Sequence, residues 1–258
     1  MAHLILVLTL IVGAFLPPQA PQTQFLDFRL SAEKSTYLVC EPINLKMEVA
    51  NTGTQPVRGN FDSFNFTKKE LKLFYRKKGS EFKRYFSLGI WMAMSRDYIR
   101  VGEAPILEPG NQISTHKLVL FDTLPSSHQQ DRFVFSDPGE YEFKATFQYT
   151  ADSVIESNVL PVTVLAVPER EQDAFALWAQ KDVALVVQGD ILVAQNDIKK
   201  VEAVNQLLMF LQKFPRSPYA AYVRDAKELW LGYFERKTKQ EKLTEEERMI
   251  YKLLHQPN

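Results

Sequence analysis

Apolar and polar residues alternate strictly from Glu140 to Phe147. Tyr141, Phe143, Ala145 and Phe147 point one way, and Glu140, Glu142, Lys144 and Thr146 the other, as in a half-buried strand. Asp137-Pro138-Gly139 supplies turn chemistry just before it. Ile43, Leu45, Met47 and Val49 alternate in the same manner with Asn44, Lys46 and Glu48, until Asn51-Thr52-Gly53 ends the run. An earlier strand is predicted over 25–30. Strands over 71–76 and 82–86 flank the glycine turn Lys77-Lys78-Gly79-Ser80 of a hairpin. Glu108-Pro109-Gly110-Asn111 leads into another strand over 113–121, and the last strand covers 158–167. Pro161 lies inside that strand and cannot donate a ladder hydrogen bond, which predicts an edge or a bulge. Short strands with turns between them over 24–167 predict an all-β sandwich.

After Pro168 the hydrophobic period lengthens to about 3.6. Ala174, Leu177, Trp178, Lys181 and Leu185 stripe one predicted helix ending near Gly189, and Val201, Val204, Leu208 and Leu211 stripe a second. A third is predicted to start with Ser217 as N-cap and Pro218 as first helical residue, burying Val223, Ala226, Trp230 and Phe234. A fourth opens on Thr244 and Glu247 in capping-box spacing, followed by Met249, Ile250, Leu253 and Leu254. The fold class is α+β as two domains, all-β then all-α.

The beginning of the chain has another pattern. Residues 4–16 are apolar apart from Thr9 and Gly13, and Pro17-Pro18 ends the run. That length suits the hydrophobic region of a signal peptide and is short for a membrane span. No Lys or Arg precedes it; only the α-amino group and His3 do. Ala20 is one cleavage point, with Gly13-Ala14 as another; cleavage near Ala20 gives a signal peptide over 1–20, a sandwich over 21–168 and a helical domain over 169–258. The expectation is export to the periplasm or the extracellular space, with no stable membrane span after cleavage.

Charge narrows the partners. The chain of 258 residues carries 31 basic and 31 acidic side chains, so no basic footprint points to nucleic acid. Cys40 is the single cysteine, which excludes an intramolecular disulfide and a cysteine metal cluster; burial as a small hydrophobe is expected. The 18 Phe fit aromatic sandwich cores. His3, His116, His128 and His255 lack metal-ligand spacing, and no phosphate cradle or nucleophile elbow is present. The expectation is no enzyme, no cofactor and no metal. Glu140 and Glu142 share a strand face with Lys144, which predicts a solvated stripe, and Glu245-Glu246-Glu247 suits a helix N-terminus.

Three motifs carry resemblances. Asp137-Pro138-Gly139-Glu140-Tyr141 resembles the tyrosine corner of immunoglobulin-like folds, with Phe143 where antibody domains have cysteine. Tyr37-Leu38-Val39-Cys40-Glu41-Pro42-Ile43, followed by Val49-Ala50-Asn51, is similar to the entry strand of bacterial secreted immunoglobulin-like domains of macroglobulin type. Cys40 stands there in the place of glycine. Phe214-Pro215-Arg216-Ser217-Pro218-Tyr219-Ala220, with Leu231-Gly232-Tyr233, resembles the junction between tetratricopeptide repeats of bacterial envelope proteins; a plain helical bundle docked on the sandwich is the alternative. These resemblances imply an N-terminal immunoglobulin-like sandwich, C-terminal helical hairpins and a non-catalytic protein-binding or scaffold module of the cell envelope.

Candidate partner contacts follow from residues outside the alternation. Phe61, Phe64 and Phe66 cluster in a connection, and Ile90, Trp91, Met92 and Met94 form an apolar run without a period. Both are read as loops folded over the core or as exposed patches that meet another protein. Tyr219, Tyr222 and Trp230 are the candidates in the helical groove. Other readings are a protease inhibitor presenting the Trp91 loop, a carbohydrate-binding module with Trp91 and Tyr98 on one flat face, and an enzyme with His116 or His128 in a cleft. Asn65-Phe66-Thr67 forms a glycosylation sequon.

Overall fold

The computed structural model describes residues 25–64, 69–86, 104–123, 132–189, 200–240 and 242–255. Strands come first: β1 (Leu26–Ala32), β2 (Thr36–Leu38), β3 (Ile43–Asn51), β4 (Val57–Arg58), β5 (Leu71–Lys77), β6 (Lys83–Arg84), β7 (Ile106–Leu107), β8 (Gln112–Val119), β9 (Phe121–Asp122), β10 (Arg132–Phe133), β11 (Gly139–Gln148), β12 (Val154–Glu156) and β13 (Leu160–Leu165). Helices follow: α1 (Gln172–Trp178), α2 (Lys181–Gln188), α3 (Lys200–Lys213), α4 (Ala220–Gln240) and α5 (Glu245–Leu254). The fold is mixed α+β, strands before helices.

Two sheets hold most of the strands. One has the order β1-β3-β8, antiparallel throughout. The other has the order β2-β13-β11-β5-β6, with β12 also on β11. The alternation read from the sequence sets the faces. Ile43, Leu45, Met47 and Val49 of β3 are completely buried, as are Phe143, Ala145 and Phe147 of β11. Both rows belong to one hydrophobic core, where each fully buried large apolar side chain contributes about 1.5–3 kcal/mol.

The outer face of β11 carries ion pairs: Lys78–Glu140 at 2.5 Å, Arg76–Glu142 at 2.6 Å and Lys144–Glu156 at 2.7 Å. Such pairs facing water contribute about 0–1 kcal/mol each. The carboxylates of Glu140 and Glu142 thus serve the solvated stripe.

Pro161 pairs with Glu142 of β11. Its other side is beyond the end of β2, which runs parallel to β13 from Thr36↔Thr163 to Leu38↔Leu165. The missing N–H falls where no strand would receive it.

The helical part departs from the periodicity in two places. The stripe from Ala174 to Leu185 forms two helices, broken where Ala179 takes ψ 47°. The break turns Trp178 toward the sheets. The second departure is at Ser217. Helix α4 begins at Ala220, where the backbone N–H bonds to the Ser217 carbonyl at 3.0 Å. The Ser217 hydroxyl is buried and has no hydrogen-bond partner, so it is not a side-chain cap. By contrast, the capping box of α5 is complete: Glu247 N–H donates to Thr244 Oγ1 at 3.2 Å, and Thr244 N–H donates to Glu247 Oε2 at 2.9 Å. Gly189 closes α2 at φ 81°, in the left-handed region that glycine occupies without strain. Helix α3 packs against α1, α2, α4 and α5, while α2 also meets α4 and α4 meets α5. Among the described residues no helix is long and apolar enough to cross a membrane.

Candidate functional site

The sheets and helices meet at the turn 38–41, closed by Glu41 N–H on the Leu38 carbonyl at 3.0 Å. Cys40 sits in it at φ 56°, a left-handed conformation that costs an L-residue about 1–2 kcal/mol and favours glycine. Neighbours hold it there. The Cys40 N–H bonds to the Phe135 carbonyl at 2.8 Å, and the Cys40 carbonyl accepts the Trp178 indole N–H at 2.7 Å. Tyr219 donates its hydroxyl to the Val39 carbonyl at 2.8 Å and stacks on Trp178 with ring centroids 5.0 Å apart.

Glu41 is a charged side chain at the same junction and is only 3% exposed. Its carboxylate accepts from Leu38 N–H at 2.7 Å and from the Tyr222 hydroxyl at 2.9 Å, and it pairs with Lys34. Farther along, Gln188 of α2 works as a false strand end. Its Oε1 accepts from Leu120 N–H at 3.0 Å and Phe121 N–H at 2.7 Å, and its Nε2 donates to the Phe121 carbonyl at 3.1 Å. Backbone groups at the sheet end are therefore satisfied by helix side chains.

The junction holds its protons tightly. Burial, then the nearby Asp137, pushes the Cys40 thiol up to about 12 from an ordinary value of 9.0. Burial likewise pushes Tyr37 up to about 12 and raises Tyr219 and Tyr222, helped by Cys40 at the first and Glu41 at both. These acids stay protonated in the folded chain at a pH where the unfolded chain has released its protons. Their stabilisation is full below the unfolded values and fades as pH rises toward the folded ones. The urea midpoint is thus expected to hold steady up to about pH 9 and to fall steadily above it, with a shallower fall in Tyr222→Phe. A profile flat to about pH 11 would contradict this arrangement.

The surface offers a different feature. A groove of about 510 Å³ runs along β1, with Glu156, Ser157 and Asn158 opposite and Lys46 and Glu48 at its outer side. β1 ends the order of its sheet. Phe25 uses its carbonyl to accept Thr52 N–H from beyond β3 at 2.7 Å. Successive residues of a strand aim their backbone groups to opposite sides, so Asp27, Arg29 and Ser31 face β3 and Leu26, Phe28 and Leu30 face the groove. Asn158 occupies the last of these: its Oδ1 accepts Leu30 N–H at 2.8 Å, and its Nδ2 donates to the Leu30 carbonyl at 3.1 Å. Leu26 and Phe28 pair with no further strand among those described. The rim is charged and internally matched, with Arg29–Asp27 and Lys46–Glu48 both at 2.7 Å.

The contact residues read from the sequence lie mostly elsewhere. Phe61 and Phe64 flank a short 3-10 turn and are 7% and 6% exposed. Phe64 packs edge-on against Phe147 at 4.9 Å and Phe28 at 5.6 Å, and Phe61 stacks on Tyr149 at 6.1 Å. They fold over the core and present no exposed patch. Tyr219 and Trp230 are buried as well, the second donating its indole N–H to the Val186 carbonyl at 3.0 Å. Tyr222 is half-buried on Glu41. Phe61, Phe64, Tyr219 and Trp230 thus face the core, against the sheets and neighbouring helices, while Tyr222 keeps partial exposure. Phe66, Ile90, Trp91, Met92 and Met94 lie outside the described residues, as do Asn65, Tyr98, His128 and 1–20. His116 is exposed on β8 opposite Lys46. The β1 groove was missed in the sequence; alternation marks Leu26-Asp27-Phe28 as strand, but nothing local marks it as an edge. Among the described residues no group of His, Cys, Asp and Glu could hold a metal ion.

No protein family matches this sequence, and no curated protein does. Solved structures similar to the chain include the CARDB domain of a Pyrococcus furiosus protein in complex with di-metal ions, at 13% identity over 56% of this chain and 97% of that one, with TM-score 0.27. The sporulation control protein Spo0M of Bacillus subtilis is 13% identical over 64% of this chain and 55% of its own, with TM-score 0.28. A β-glucosidase of Erythrobacter marinus is 14% identical over 54% of this chain, with TM-score 0.27, and the match spans 15% of the enzyme. Likenesses of this size assign no activity, ligand or partner.

Proposed function

We propose that the chain is an exported, non-catalytic protein-binding module of the cell envelope. In this reading an immunoglobulin-like β-sandwich carries the contact surface and tetratricopeptide-like helical hairpins brace it. The observation that carries the proposal is the β1 edge, which has no further partner strand among those described, with its groove of about 510 Å³ and charged rim. Edge strands are left accessible at a risk of unwanted pairing, and a groove beside one is a ready contact surface. The sandwich reading is supported by the hydrogen bond of a tyrosine corner, Tyr141 hydroxyl to Asp137 carbonyl at 3.0 Å. The hairpin reading is supported by the pairing of α2 with α3 and α4 with α5, and by the packing of α2 on α4 and α3 on α5. Burial of Tyr219 and Trp230 favours the helices as a brace. The apolar run over 4–16 supports export.

Site-specific photo-crosslinking in the full chain tests the proposal. A photoreactive side chain at Arg29 or Lys46 is expected to capture a protein from envelope extract. The same group at Leu165, half exposed on the outer face of the other sheet, is expected to capture none. Equal labelling at all three positions, or none at any, would overturn the assignment of the surface.

A further inference from the structure

We infer that the groove beside β1 receives an extended polypeptide segment, which joins the sheet as a further strand through the backbone groups of Leu26 and Phe28. The inference rests on the protein-binding reading above and specifies how the partner is held. Three observations carry it.

The first is the parity of β1. The N–H and C=O groups of Leu26, Phe28 and Leu30 all point away from β3, into the groove. The second is the Asn158 carboxamide. It donates to the Leu30 carbonyl and accepts from the Leu30 N–H at 3.1 and 2.8 Å, the two bonds that a neighbouring strand's backbone supplies to an antiparallel hydrogen-bonded pair. One position of the edge already holds an amide, and toward Leu26 the pattern continues with no partner among the described residues. The third is space: about 510 Å³ is open beside these groups, enough for roughly four residues of extended chain at the packing of protein interiors.

The geometry also sets the chemistry of the guest. A strand added beside β1 shares its two faces. Guest residues on the inner face lie next to Phe28 and Leu30, both buried, and those on the outer face lie next to Asp27 and Arg29, which face water. The guest is therefore an extended segment of alternating apolar and polar residues. Main-chain hydrogen bonds supply its affinity, and alternate side chains its selectivity.

A blocked peptide copying β3, residues Ile43–Asn51, is a suitable probe, since this sequence already alternates and pairs antiparallel with the other edge of β1. Added to the full chain, it is expected to slow amide hydrogen exchange at Leu26 and Phe28 about tenfold. Asp27 and Arg29, bonded to β3, and Leu30, bonded to Asn158, are expected to stay unchanged. Two further peptides carry N-methyl groups on alternate amides, one set on each edge of the strand. Only one of the two is expected to lose binding, by about tenfold or more for each hydrogen bond removed. Leu26→Pro deletes an outward N–H at the first strand position, where proline is tolerated, and is expected to weaken the peptide with the circular dichroism spectrum unchanged.

Equal loss from both methylated peptides overturns the inference. So does protection of Leu26 and Phe28 that grows with protein concentration in the absence of peptide, which would assign the edge to a second copy of the chain. If exchange is unaffected at millimolar peptide while Arg29 and Lys46 still cross-link to a partner, strand addition alone falls. If the cross-links are missing too, the protein-binding reading falls with it.

Discussion

Trp178→Ala is expected to destabilise the entire chain by about 3–5 kcal/mol, the cost of truncating a fully buried aromatic side chain. Trp178 is 1% exposed. Its ring meets Tyr219 at 5.0 Å, Phe210 at 6.0 Å and Tyr222 at 6.5 Å, and its N–H bonds to the Cys40 carbonyl. The contacts reach α3, α4 and the 38–41 turn at once. Because one continuous core joins sheets and helices, hydrogen exchange in β11 and in α3 is expected to accelerate by the same factor. Protection that drops in α3 while holding in β11 would show two separate units. Trp178→Phe keeps most of the ring and leaves the Cys40 carbonyl without its donor, and is expected to cost about 1–3 kcal/mol.

The second large effect is expected at Glu41. Removing the carboxylate in Glu41→Ala strands Leu38 N–H and the Tyr222 hydroxyl in a buried site, and each unsatisfied group costs about 1–3 kcal/mol. Lys34 keeps access to water, with 45% of its side chain exposed, and adds little. The expected loss is about 2–5 kcal/mol in urea unfolding. Glu41→Gln retains an acceptor and is expected to cost less. A double-mutant cycle with Tyr222→Phe separates the contact from general disruption. The two substitutions share one hydrogen bond, so their effects are expected to fall short of additive by about 0.5–3 kcal/mol. Strict additivity would mean that Glu41 and Tyr222 act independently.

Much of the architecture was legible because it depends on short-range patterns. A period of two identified β3 and β11, since one face of each is buried and the other wet. Thr244 and Glu247 predicted the capping box of α5 because both partners lie within one turn. Cys40 was expected to be buried as a small hydrophobe, and it is; its left-handed φ of 56° was not read from the sequence.

The misses came from long-range contacts. The stripe from Ala174 to Leu185 reads as one helix, yet Trp178 turns to a carbonyl 138 residues earlier in the chain, and the helix breaks after it. Tyr219, Tyr222 and Trp230 read equally well as a groove or as a core. Bonds to Val39 and Val186 put Tyr219 and Trp230 inside, and Tyr222 is half-buried on Glu41. Phe61 and Phe64 carried the same ambiguity, settled by Phe28 and Phe147.

Local pattern alone was enough to put strands before helices, to mark the apolar face of β3 and β11, and to show where a solvated stripe runs. These follow from local periodicity and from backbone preferences at turns and caps. Long-range contacts place the helices over the 38–41 turn, bury Glu41 against Leu38 and Tyr222, and leave β1 with no further partner strand among those described. Each depends on residues far apart in the chain meeting in space, and an edge is defined by the strand that is not beside it. No local pattern of apolar and polar residues encodes a missing neighbour.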